Sequence, residues 1–232
     1  AVDTGFSYLP EATEVELLNQ LHDYIDFILA ELKDETEKSL GLEYGRILLH
    51  KAFSSPHSLE SLLKERQKIL HSPEKILSNP SSNSLSTLAP PRQEAKRIQT
   101  LLTAVPGPAG ESNWVNNLLW LCGNWREQTD NILESHTSGR SRPDSGHRLV
   151  RVLLAIQNQL HKHPASKIVI FSAWTETLLA LLPHLTKHLR AGRGRVAQFH
   201  CQIPSEDLQE QADLFQSRDD YYILLCDELG GE

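Results

Sequence analysis

The sequence predicts an α/β protein, a helical stretch over residues 1–145 followed by an incomplete parallel α/β lobe over 146–232. Two observations carry this. Apolar residues recur at helical spacing through the first two thirds of the chain, and after Gly146 the pattern becomes an alternation of short apolar strands with amphipathic helices. Strands of that kind, apolar on both faces and separated by helices, belong to parallel sheets with right-handed crossovers.

In the helical part, Thr13 and Glu16 have the spacing of a capping box, and Leu17, Leu18, Leu21, Tyr24, Ile25, Ile28 and Leu32 follow on one stripe. The charged run Glu31 to Lys38 and then Gly41 are expected to end this helix, with a second from about Leu42 to Phe53. Ser55-Pro56 reads as N-cap and first position of a third helix, carrying Leu59, Leu62, Leu63, Ile69 and Leu70. Residues 72–91, rich in Ser, Pro and Asn, bury too little apolar surface to offset their ordering and read as a linker. Helix resumes near Gln93, stops at Pro106-Gly107-Pro108 and restarts near Ser112 with Trp114, Leu118, Leu121 and Trp125 as its stripe. A second break covers Thr137 to Gly146.

The last third reads as a helix with Leu149, Val152, Leu153, Ile156 and Leu160, then strand, helix, strand, helix, strand. The strands fall at about Lys167–Phe171, Val196–His200 and Tyr222–Cys226. In parallel sheets ligands bind beyond the carboxyl ends of the strands. Ser172, His200 and the loop Asp227 to Glu232 all follow strand ends, so they are expected to line one contiguous, largely solvent-exposed edge.

Composition narrows the function classes. With 23 Lys and Arg against 30 Asp and Glu, the net charge is −7, so bulk electrostatics do not draw the chain to nucleic acid and any such contact must be local. Cys122, Cys201 and Cys226 form no C-x-x-C pair and read as reduced thiols, neither a disulfide framework nor a zinc site. No apolar run spans a bilayer and no secretory leader is recognised. The absence of Met and the opening Ala lead to the expectation that the chain is a piece of a longer protein.

Three strings then suggest a family. They are Lys167-Ile-Val-Ile-Phe-Ser-Ala-Trp174, Val196-Ala-Gln-Phe-His-Cys-Gln-Ile-Pro-Ser-Glu-Asp207 and Tyr222-Ile-Leu-Leu-Cys-Asp-Glu-Leu-Gly-Gly-Glu232. In order and spacing they resemble the second RecA-like lobe of Snf-type helicases, above all the bacterial RNA-polymerase-associated branch. The string Ala52-Phe53-Ser54-Ser55-Pro56-His57-Ser58-Leu59 resembles one in the helical insertion that precedes that lobe. Two positions depart from the family pattern: His200-Cys201 replaces His-Gly, and Cys226-Asp227-Glu228 replaces Ser-Thr-Asp.

The resemblance implies part of an ATP-driven double-stranded-DNA translocase, bacterial, cytoplasmic and nucleoid-associated. Ser172, His200 and Asp227 would touch the nucleic-acid backbone, while Gly230, Gly231 and Glu232 form a loop facing the interlobe cleft. Two glycines let backbone N–H groups approach phosphate closely. DNA is the implied partner, RNA polymerase a second one, and ATP and Mg the cofactors of the intact motor. No phosphate loop of the form G-x-x-x-x-G-K-[ST] and no acidic magnesium box occur here, so this stretch alone is expected to bind neither cofactor and to hydrolyse no ATP. The rival reading is a helical module, Val15 to Leu133, that docks a protein partner.

Other candidates read more plainly. His184 and His188 have the i, i+4 spacing of metal ligands, yet nothing completes a site and a solvated helix edge explains them. His161-Lys162-His163 suits a helix C-terminus. Trp114, Trp120 and Trp125 have the type to stack nucleobases, but Trp114 and Trp125 share the stripe of Leu118 and Leu121 and read as core; Arg140, Arg142, Arg148 and Arg151 fit a phosphate track, with a charged linker explaining Arg140 and Arg142 equally well. Arg193 and Arg195 mark a turn into a strand. Ser172 and His200 lack the acidic partner and the elbow motif of a hydrolase.

Overall fold

The computed structural model describes residues 10–71, 90–137, 148–192 and 195–227. Most of the two expected breaks, the paired glycines Gly230 and Gly231, Glu232 and Arg193 lie outside them, whereas Pro90, Pro91 and Thr137, expected in the breaks, are helical. The described elements are α1 (Ala12–Glu31), α2 (Glu35–Ser54), α3 (Pro56–His71), α4 (Pro90–Ala104), α5 (Glu111–Thr137), α6 (Arg148–Lys162), β1 (Ile168–Phe171), α7 (Thr175–Gly192), β2 (Arg195–Phe199), α8 (Ser205–Ser217) and β3 (Tyr221–Cys226). The described residues before β1 are helical or irregular, as the periodicity predicts. None of the described helices is long and apolar enough to cross a membrane.

The chain forms two compact units, one of Glu16–Asn124 and the other of Ala1–Val15 with Trp125–Glu232. The division falls inside α5, ahead of the change in sequence grammar near Gly146.

In the helical unit, α2 corrects the expected break at Gly41. Asp34 caps its start by accepting from the Glu37 N–H at 2.8 Å, and the helix then runs unbroken through both Gly41 and Gly45. These glycines serve close approach to α1. A Cβ at Gly41 would overlap Leu32 Cδ1, and one at Gly45 would stand 2.9 Å from Ile25 Cγ2. Ser55 does cap α3, its hydroxyl accepting from the Ser58 N–H at 3.2 Å, with Pro56 in the first position where no N–H is needed.

The centre of this unit is charged. Arg66 lies on the apolar stripe of α3 between Leu63 and Ile69, with its side chain 1% exposed. Its Nε donates to Glu111 Oε1 at 2.7 Å and its Nη2 to Oε2 at 2.8 Å, a bidentate pair. Nη1 donates to the carbonyls of Leu102 and Val105, the unpaired acceptors at the end of α4. Tyr24 of α1 donates to Glu111 at 2.6 Å, the Tyr24 and Tyr44 hydroxyls are 3.1 Å apart, and the guanidinium stands 5.6 Å over the Tyr44 ring. One ion pair therefore reaches all five helices of the unit. Burial raises the pKa of Tyr24 well above the ordinary value and pushes Tyr44 up to about 12, so both stay protonated donors.

In the sheet unit the three strands are parallel in the order β1-β3-β2. β3 is therefore central, with Ile223 and Leu225 fully buried against Leu178, Leu181 and Leu185 of α7 and Leu149, Leu153 and Ile156 of α6. Leu133 of α5 joins the same cluster. The opposite face is only partly covered. Helix α8 packs on β2 and β3, while Val169 and Phe171 of the edge strand β1 remain 57% and 56% exposed. Of the expected burial on both faces, β3 shows one buried face and a second on which Cys226 is buried and Tyr222 and Leu224 half-buried, and β1 does not show it.

The start of α1 belongs to this unit too. The expected capping box is not what Thr13 makes: it lies in the first turn and donates to Gln128 at 2.8 Å. Glu14 is buried and accepts from Arg148 at 3.1 Å; burial, aided by Glu11, pushes its carboxyl up to about 7.

Removing one partner of a buried ion pair strands the other, a loss of about 3–5 kcal/mol. Arg66→Met should therefore cost roughly that much of unfolding free energy by urea titration, whereas Glu111→Gln, which keeps an acceptor, should cost about 1–3 kcal/mol. A loss below about 1 kcal/mol for Arg66→Met, the range of exposed pairs, would contradict a central role.

Candidate functional site

The register places the three strand ends level, with Phe171 and Phe199 both paired to Cys226. Backbone bonds continue just past the strands: the Ser172 N–H donates to Cys226 O at 3.0 Å and the Asp227 N–H to Phe199 O at 3.3 Å. Ser172, His200 and Asp227 therefore share one edge of the sheet, with Asp227 in the middle.

Their exposure differs from the expectation of a largely solvent-exposed edge. Asp227 and His200 are each 1% exposed, and only Ser172 is half-buried. For Asp227 the cause is hydrogen bonding across the strand ends. Asp227 Oδ2 accepts from the backbone N–H of Cys201 at 2.7 Å and from the hydroxyl of Thr175, the first residue of α7, at 3.2 Å. The Thr175 hydroxyl also stands 3.5 Å from the Cys201 thiol. This oxygen binds the protein itself and is not presented to a phosphate.

Ser172 closes a local turn. Its hydroxyl accepts from the Trp174 N–H at 3.1 Å and donates to Trp174 O at 3.1 Å, so to meet a phosphate oxygen it would turn away from that carbonyl. His200 sits in the turn after β2, which the Ile203 N–H closes onto His200 O at 2.9 Å. Its Nε2 lies 3.1 Å from Gln198 Oε1, while its Nδ1 is buried with no hydrogen-bond partner. Burial lowers the imidazole pKa, against the opposing pull of Asp227. Burial and Asp227 together push the Cys226 thiol up to about 11, so it is a neutral, unreactive group.

Thr175 and Cys201 are the site residues that motif reading passed over. The signal for Thr175 was present: a Thr at the first position of a helix directly after a strand end. For Cys201 the contributing group is a backbone N–H, which no residue type announces. Elsewhere, His184 is buried in the α7 face beside Leu181 and Leu185, not on a solvated edge, and Trp125 is core. Trp114 stacks on Phe27 at 5.8 Å, whereas Trp120 is 64% exposed. Among the described residues no three His, Cys, Asp or Glu gather to hold a metal. No family model, curated protein or solved structure matches the chain.

A histidine whose pKa is lower folded than unfolded binds its proton mainly in the unfolded state, so it destabilises the fold as pH drops below the unfolded value. For His200 that loss begins near pH 6.5 and continues down through the folded pKa. Glu14, raised to about 7, acts in the opposite sense, so the informative quantity is a difference. The unfolding free energy of wild type minus that of His200→Gln should be flat above pH 6.5 and fall below it. A difference that stays constant down to pH 5 would mean that His200 titrates as if exposed.

Proposed function

We propose that this chain contributes the second-lobe half of an ATP-driven double-stranded-DNA translocase of the Snf type, gripping the phosphate backbone and taking part in lobe closure. The single observation that carries the reading is the coincidence of motif and topology. The three strings resembling the family occupy three neighbouring parallel strands, and their carboxyl ends meet at one edge. Such an edge is where parallel α/β sheets bind ligands, because loops and helix N-termini converge there.

Within this reading the groups divide their work. The Ser172 hydroxyl meets a phosphate oxygen, a role the resemblance also gives to Gly230 and Gly231, and His200, neutral and buried, shapes the turn after β2. Asp227 stabilises the arrangement from within. ATP and Mg would be held by a phosphate loop and acidic box that this sequence does not contain. The rival reading is a helical module docking a partner such as RNA polymerase, for which Leu42, Phe53 and Trp120, 60%, 51% and 64% exposed on the helical unit, are the candidate contacts.

Titration of a fluorescent duplex over a range of salt distinguishes the two. The first reading predicts affinity that falls linearly on a log–log plot, with a slope of about −0.9 per phosphate neutralised, and no ATP turnover with or without DNA. Ser172→Ala should weaken duplex binding by about 1 kcal/mol, the size of one hydrogen bond. Absence of duplex binding at low salt, with salt-tolerant capture by RNA polymerase, would favour the helical module instead.

A further inference from the structure

The edge contains a buried carboxylate that does not fit the role of a phosphate contact. Asp227 is 1% exposed, its Oδ2 receives one bond from the turn after β2 and one from the start of α7, and its own N–H is bonded to Phe199 O. These partners lie 26 and 52 residues away in sequence. A single carboxylate thus links the continuations of all three strands. An ionised acceptor bonded to two donors in a water-poor place forms strong, directional contacts.

We propose that Asp227 is a positioning residue, which locks the His200–Cys201 turn and the first turn of α7 into one arrangement so that the three strand ends act as a single preformed surface. The consequence for DNA rests on the translocase reading; the lock itself does not. Asp227 acts through the Cys201 backbone and through Thr175, and the backbone grip belongs to the neighbouring groups that it holds. Because the carboxylate also pulls the His200 pKa upward against burial, the lock has a spectroscopic reporter in the same turn.

The test uses the whole chain with Asp227→Ala, Asp227→Asn and Thr175→Val, read by amide hydrogen exchange, by NMR titration of His200 and by duplex binding. The Cys201 amide should exchange about tenfold faster in Asp227→Ala, the factor for losing one hydrogen bond. It should stay near wild type in Asp227→Asn, where the amide oxygen still accepts. In that variant the His200 titration should move to lower pH, since the carboxylate charge is gone, which a residue that merely fills space would not cause. Thr175→Val keeps the shape, removes one donor and should loosen the start of α7, so the lock remains testable if Asp227→Ala does not fold.

Duplex affinity should fall severalfold in Asp227→Ala and be retained in Asp227→Asn. Unchanged Cys201 exchange in a folded Asp227→Ala or an unmoved His200 titration in Asp227→Asn would overturn the lock. So would tighter duplex binding by both variants, which would make Asp227 only a repelling charge. If the wild type binds no duplex while the exchange and titration results hold, the translocase reading falls and the lock stands.

Discussion

The sheet unit depends on β3 being hydrogen-bonded on both sides. In the parallel order β1-β3-β2 the strand that comes last in sequence lies between the first two. Every candidate group at the edge takes its place from that insertion. Ser172 is tied to Cys226 O, Asp227 to Phe199 O, and the Asp227 side chain then reaches the structures that follow β1 and β2. Burial of Ile223 and Leu225 supplies the stabilisation that holds β3 there, roughly 1.5–3 kcal/mol for each fully buried side chain.

The helical unit is organised on a different principle. Its centre holds an ion pair, which costs desolvation and is tolerated only because nearly every donor and acceptor has a partner. Arg66 binds both carboxylate oxygens of Glu111 and carbonyls at the end of α4, and Glu111 also receives the Tyr24 hydroxyl. Directional bonds of this kind tie the five helices together at one point. Gly107 fits the same demand, since a Cβ there would stand 3.1 Å from the Glu111 carboxylate and 2.9 Å from Leu70.

Much of this was legible from period and punctuation. The change from a helical to an alternating pattern located the three strands, and Ser55-Pro56 located the start of α3, because both signals are local. Gly41 misled because a glycine that permits helix packing and one that ends a helix are the same residue; only Leu32 across the interface distinguishes them. Arg66 stands where the stripe Leu59, Leu62, Leu63 calls for an apolar residue, a visible anomaly whose partner, Glu111, lies 45 residues away. At the edge, the spacing of strand ends gave the right neighbours and the wrong exposure. Burial of Asp227 goes with bonds made to Cys201 and Thr175 across the edge, which no single segment encodes.

The proposed contact with the DNA backbone belongs to the strand-end edge and not to the helical unit. Hydrogen exchange of the chain with and without a short duplex at low salt addresses it directly. The account predicts slowed exchange concentrated at Ser172–Thr175 and His200–Ile203, with α2 and α3 unchanged. Protection confined to the helical unit, or none at duplex concentrations well above the Kd, would contradict it.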